Sequence, residues 1–140
     1  MIYILLLNFF ISSFLLSLII MTQLINYPLF YKVYPETFSL YHRSYVNKIS
    51  FIAAPLMILE FIISIQLLIS IKSYLAMATL LLVCAIFLTT LFFQVPIHEK
   101  LKLKADDKLF KKLISTNWIR TFLWFVKCII SFNILLKEII

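Results

Sequence analysis

The chain has 140 residues, 64% of them hydrophobic and only 14% charged, with a formal net charge of +7 and a mean hydropathy of +1.05. A soluble domain carries about 25% charged residues, so soluble, collagen-like and disulfide-scaffold classes are excluded and an all-α integral membrane protein is what remains. The basic residues flank apolar runs instead of lining a soluble face, which points to anionic lipid headgroups, and not nucleic acid, as their counter-charge.

Crossing a hydrocarbon core of about 30 Å takes about 20 helical residues, and four stretches reach that length: residues 2–24, 50–71, 73–95 and 118–136. The first lacks the basic start and small-residue cleavage site of a signal peptide, so it is expected to stay as a span. Pro28 and Pro35 are expected to end this helix. Glu36 then opens a helical stretch that runs into the second span, where Pro55 should introduce a kink. Only Lys72 and Ser73 separate the second and third spans, so these two should be joined by a tight turn. Asp106 and Asp107 are start signals for a short interfacial amphipathic helix, with Leu109, Phe110, Leu113 and Ile114 on one face and Lys108, Lys111 and Lys112 on the other. Thr116 or Asn117 would then cap the fourth span.

Such short connections predict a single domain over residues 1–140, an antiparallel four-helix bundle. Glycine is absent, so close helix approach is expected to rest on Ala53, Ala54, Ser64, Ala76, Ala78 and Ala85. Cys84 and Cys128 fall inside spans without any paired motif and read as small apolar residues. Ten basic residues (Lys32, Arg43, Lys48, Lys100, Lys102, Lys104, Lys108, Lys111, Lys112 and Arg120) lie on one side of the bundle, against Lys72 and Lys137 on the other. The positive-inside rule makes the basic side cytoplasmic and both termini non-cytoplasmic, in what reads as a bacterial cytoplasmic membrane. The bilayer is the expected partner, with a second copy or another membrane protein as further options.

Polar residues are costly in a bilayer, so their placement is informative. On regular helical spacing Gln23, Asn26, Tyr27, His42, Gln94, His98, Asn117 and Arg120 converge toward the cytoplasmic end. They form either a cytoplasm-facing ligand pocket or a set of partners for helix ends and proline-released carbonyls. His42 and His98 are the sole imidazoles, and a haem or copper site would have to use these two alone, since Glu60 lies roughly 27 Å from His42 along the helix. No bound cofactor is the simpler expectation. No nucleophile and base pair or phosphate loop is visible. Glu60 and Lys127 are the charges deep inside spans, both about 13 to 15 Å from the cytoplasmic span ends, and their matched depth predicts a buried ion pair.

At Gln23-x-x-Asn26-Tyr27-Pro28-Leu29-Phe30, Phe38-x-x-Tyr41-His42, Pro55-Leu56-Met57-x-x-Glu60, Gln94-Val95-Pro96-Ile97-His98-Glu99-Lys100-Leu101 and Asn117-Trp118-Ile119-Arg120-Thr121-x-x-Trp124, the chain resembles a group of short, uncharacterised bacterial four-helix membrane proteins. That group is distantly similar to the anthrone-oxygenase-like membrane proteins, some of which are associated with oxidising polycyclic aromatic substrates without an evident cofactor. The resemblance implies the fold and the set of interesting residues. Two functions follow as expectations. One is an accessory or binding subunit whose pocket takes a lipid-like or aromatic ligand or a partner. The other is a small membrane oxidoreductase, oxygenase-like or haem- or metal-dependent, acting on an apolar aromatic or quinone-like compound beside Tyr27, His42, His98 and Arg120. Ion transport through Glu60 lacks a second intramembrane acid and a broken-helix pair.

Overall fold

The computed structural model describes residues 1–139, and Ile140 lies outside them. All regular structure among the described residues is helical and forms four rods, α1 (Ile2–Lys32), α2 (Pro35–Ile71), α3 (Tyr74–Leu101) and α4 (Asp107–Ile139). Each rod is long and apolar enough to cross a membrane. They pack as a square in which every rod lies against its sequence neighbours and α4 closes on α1, leaving α2 and α4 facing each other across the core. Connections at 33–34, 72–73 and 102–106 are short, so consecutive rods are antiparallel. The first and third connections share one end of the bundle, the lysine-rich end.

Local chemistry sets the turns. Pro35 sits in the first turn of α2, where its missing N–H is not needed, and Glu36 adds a favourable charge at the same terminus. Lys72 adopts a left-handed conformation (φ 51°) to end α2, a position that glycine usually fills but that this chain must fill otherwise. Ser73 Oγ accepts from the Ala76 N–H at 3.1 Å and caps α3. Asp106 Oδ1 accepts from the N–H groups of Lys108 (2.8 Å) and Leu109 (3.2 Å) and starts α4.

Three expectations about helix limits are corrected. First, α4 is continuous, so there is no separate interfacial helix before the fourth span and neither Thr116 nor Asn117 caps one. The buried positions Phe110, Leu113, Asn117, Arg120, Trp124, Lys127, Ser131 and Ile134 alternate in steps of three and four through the supposed break, a left-handed bundle pattern that one continuous rod satisfies. The apolar face of residues 109–114 packs inward, with Phe110 and Leu113 buried beside Tyr27, Phe30, Phe38, Ile97 and Leu101.

Second, α1 runs through Pro28, and third, α3 runs past residue 95, the expected end of its span, and through Pro96. Each does so by a five-residue π turn, Thr22–Asn26 and Thr90–Gln94, closed by hydrogen bonds from Tyr27 N–H to Thr22 O and from Val95 N–H to Thr90 O. A widened turn moves the carbonyl that the proline ring would strike, so the rod continues. Each turn also absorbs one extra residue. In α1 the inward positions Leu5, Asn8, Ser12, Leu15, Ile19 and Thr22 give way to Gln23, Tyr27 and Phe30, leaving Asn26 half-buried and Leu29 exposed. In α3 the series Ala76, Thr79, Val83 and Ile86 continues as Gln94, Ile97 and Leu101, while Phe93 and Lys100 face outward.

The bundle buries polar clusters within an apolar core and is apolar on its outside. Among the described residues fourteen polar or charged ones are buried, including Asn8, Ser12, Glu60, Lys127 and Ser131, whereas Phe10, Phe51, Phe92 and Phe122 are each more than 60% exposed. Water would penalise that surface, and a hydrocarbon solvent would not.

Candidate functional site

Two polar clusters occupy the core, about two helical turns apart along α4. The deep cluster is built on Lys127, which is 0% exposed. Its ammonium has three protons and three acceptors: Glu60 Oε1 at 2.9 Å, Asn8 Oδ1 at 3.1 Å and Ser12 Oγ at 2.7 Å. Glu60 Oε1 also lies 2.9 Å from Ser12 Oγ, and Glu60 Oε2 accepts from Trp124 Nε1 at 3.1 Å. Asn8 Nδ2 donates to Ser131 Oγ at 2.9 Å. Glu60 and Lys127 thus pair across the diagonal of the square, between α2 and α4, with α1 supplying the remaining ligands.

The cluster at the lysine-rich end consists of two hydrogen-bonded chains. In the first, His42 Nε2 lies 3.1 Å from His98 Nδ1, and His98 Nε2 lies 3.1 Å from the Tyr27 hydroxyl. Tyr27 reaches Gln94 Oε1 at 3.5 Å, and Gln94 Nε2 donates to Thr116 Oγ1 at 3.0 Å. His42 Nδ1, at the far end, has no partner. If protons point from His42 toward Gln94, every N–H and O–H in the chain finds an acceptor and the orphan is a bare lone pair. The opposite direction leaves a buried N–H unpaired, which is the rarer and costlier defect. Phe30 and Phe38 fix the ring of His42, with centroids 5.4 and 5.3 Å away.

The second chain runs from Arg120 NH1 to Asn117 Oδ1 (3.3 Å), from Asn117 Nδ2 to Gln23 Oε1 (2.7 Å), and from Gln23 Nε2 to the Ile114 carbonyl (3.0 Å). Arg120 is 8% exposed, and its Nε closes no hydrogen bond. Its guanidinium carbon sits 5.3 Å from the centre of the Trp124 ring. Trp124 therefore separates the clusters, with its N–H on Glu60 and its face against Arg120.

A cavity of about 450 Å³ opens beside these chains, between α1, α2 and α3. Leu15, Leu18, Ile19, Ala53, Ala54 and Met57 line its apolar part, and Tyr27, Tyr45, Gln94, His98 and Arg120 its polar part. The Tyr45 hydroxyl, with Thr22 and Asn26 nearby, is buried and closes no hydrogen bond. Glu99 and Lys102 stand at the rim and pair with each other at 2.6 Å.

Of the residues singled out in the sequence, Tyr27, Gln94, His98 and Arg120 reach the cavity wall, while His42 and Asn117 stand behind it as hydrogen-bond partners of His98 and Arg120, and Gln23 stands behind Asn117. Asn26 joins neither chain, because the π turn brings Tyr27 inward in its place. Sequence reasoning missed Tyr45, three residues beyond His42 on the same helix, and Thr116, four before Arg120; helical spacing alone carried both. His42 and His98 do come together, but among the described residues no third His, Cys, Asp or Glu stands with them as a metal ligand. Comparison of the chain with protein-family models, curated proteins and solved structures gives no match.

Proposed function

We propose that this chain is a small multi-pass membrane protein that binds an amphiphilic ligand, lipid-like or aromatic, as an accessory or binding subunit. The observation that carries this reading is the cavity itself: about 450 Å³, apolar along one side and ending in Arg120, Tyr27 and His98. Sites for small ligands are commonly 300–1,000 Å³, mostly apolar, with a few fixed polar groups. The basic residues near the cavity end support a cytoplasmic side for that end, with the ligand entering at the headgroup level. A reporter fused to the C-terminus and active only in the cytoplasm would reverse this orientation. Filling the cavity tests the binding: Ala53→Trp should abolish co-purification of lipids and aromatic compounds measured by mass spectrometry while the thermal midpoint is kept. His98→Ala should likewise remove binding and leave the fold intact. Unchanged ligand content in Ala53→Trp would refute the reading.

A second reading, a membrane oxidoreductase acting on an aromatic or quinone-like compound, is favoured by one feature. Tyr27 and His98 stand on the cavity wall, where a bound phenol would meet a hydroxyl and an imidazole. Oxygen uptake with an anthrone, absent in Tyr27→Phe, is its test; no uptake by the intact protein rejects it.

A further inference from the structure

We propose that the ligand's polar head is a singly charged oxyanion, a carboxylate, phenolate or phosphodiester on an apolar body, and that Arg120 is its charge partner. This rests on the binding reading above. Among the described residues, the salt bridges are Lys127–Glu60 and Lys102–Glu99, so the acids of the core and of the cavity rim are already matched to lysines. Arg120 is left as a buried cation with no acid. Its hydrogen bond to Asn117 is long at 3.3 Å, a second near oxygen is the Tyr27 hydroxyl, and its Nε is unpartnered. A guanidinium presents five donors in a planar fork that fits the two oxygens of a carboxylate. Trp124 covers one face of that fork and so excludes water from it.

The surroundings restrict the head further. Tyr27 and His98 line the same end without adding a second full charge, and Lys102 is held by Glu99. Among the described residues Arg120 is the cavity-lining cation without an acid, which suits one negative charge, so a dianionic phosphate monoester is not accommodated. Leu15, Ile19, Ala53 and Met57 take the apolar body. A buried cation without its counter-ion is unfavourable, and a ligand that supplies one gains what Glu60 supplies to Lys127.

Binding of cis-parinaric acid and of its methyl ester to the full chain in neutral detergent micelles, read by fluorescence, tests this. The acid is expected to bind at least about 30-fold more tightly than the ester, the ratio typical of a desolvated charge pair. Arg120→Met should bring the acid down to the ester's affinity without changing the ester, and Arg120→Lys should fall between. Equal affinities of acid and ester for the intact protein would overturn the oxyanion head and leave the binding reading standing. Binding of neither, or equal binding by Ala53→Trp, would overturn the binding reading as well. Should Arg120→Met fail to fold, the acid-to-ester ratio in the intact protein and in Arg120→Lys still decides. Competition separates the sources. Displacement by phosphatidylglycerol and not by phosphatidylcholine assigns the oxyanion to bilayer phosphodiester, whereas displacement by neither assigns it to a free amphiphilic acid. Equal displacement by both would refute the charge pairing.

Discussion

The core of this bundle contains two buried cations seven residues apart on α4, and they are treated oppositely. Lys127 is surrounded by three acceptors from two other helices, one of them the carboxylate of Glu60, and each proton of its ammonium is used. Arg120 has one amide oxygen at 3.3 Å, an aromatic face and a cavity. Trp124 touches Arg120 on one side and the Glu60 partner of Lys127 on the other, so the two clusters share one wall. Where a chain desolvates a charge and also completes it, the charge fixes helix register; where it desolvates a charge and leaves donors free beside open space, the remaining partner has to come from outside. This difference can be broken experimentally, beginning with the largest effects.

Removing one member of the closed pair should be the most damaging change in the molecule. Lys127→Met or Glu60→Gln each strands a buried partner and should cost about 3–5 kcal/mol. The double mutant should lose less than either single mutant, because no unpaired charge is left. Thermal unfolding in detergent of the three variants measures this. Strictly additive losses would show that the pair does not behave as a unit.

Ser12→Ala is next in size. Ser12 Oγ accepts from Lys127 and lies within hydrogen-bonding distance of both Glu60 Oε1 and the Asn8 carbonyl, between which its single proton must be shared. Its removal leaves an ammonium proton and part of a carboxylate unsatisfied, a loss of about 1–3 kcal/mol. A neutral result would mean that water enters the cluster and that it is not closed.

How far all this was legible in the sequence depends on which rule each feature obeys. Span count follows from run length, which the bilayer thickness dictates, and Lys72-Ser73 is too short for anything but a turn. Glu60 and Lys127 were legible as partners because counting 1.5 Å per residue from the span ends gives them equal depth. The π turns were not legible, because proline is read as a helix stop and nothing local announces a widened turn. Yet Thr22 and Thr90 each stand four residues before an amide residue, Asn26 or Gln94, with proline two further on, so the two turns share a spelling. Asn26 was misplaced for this reason: a regular helix puts it where Tyr27 stands. The continuity of α4 was legible in principle, since the three-four alternation from Phe110 to Ile134 never breaks, but the lysines at 108, 111 and 112 suggested a surface helix instead.

The open cluster should respond weakly where the closed one responds strongly. Arg120→Met gives up a cation–aromatic contact and one long hydrogen bond but also removes an unpaired buried charge, so ligand-free stability should change by no more than about 1 kcal/mol in either direction. With a saturating ligand the difference should widen, because only the intact protein gains about 2.7 kcal/mol at one hundred times the dissociation constant. Melting curves with and without cis-parinaric acid measure both quantities. A ligand-free loss as large as that of Lys127→Met would mean that Arg120 is completed from within the chain, and the contrast between the clusters would collapse.

The smallest effect is expected at Ser64, which belongs to the closed cluster by position and not by energetics. Its hydroxyl donates to the Glu60 carbonyl at 2.8 Å, one turn earlier in α2. That carbonyl has a second lone pair for the helix hydrogen bond, so Ser64→Ala leaves it satisfied, and the lost proton donor disappears together with its own need for an acceptor. The change should be within about 0.5 kcal/mol, with the removed oxygen leaving less than a methyl-sized gap. Ser12 and Ser64 are both fully buried serines one contact from Glu60, so measuring them side by side isolates what matters. If Ser64→Ala proved as harmful as Ser12→Ala, burial of the hydroxyls would account for the stability of the deep cluster; a loss confined to Ser12 assigns it to the completion of the Lys127 and Glu60 charges.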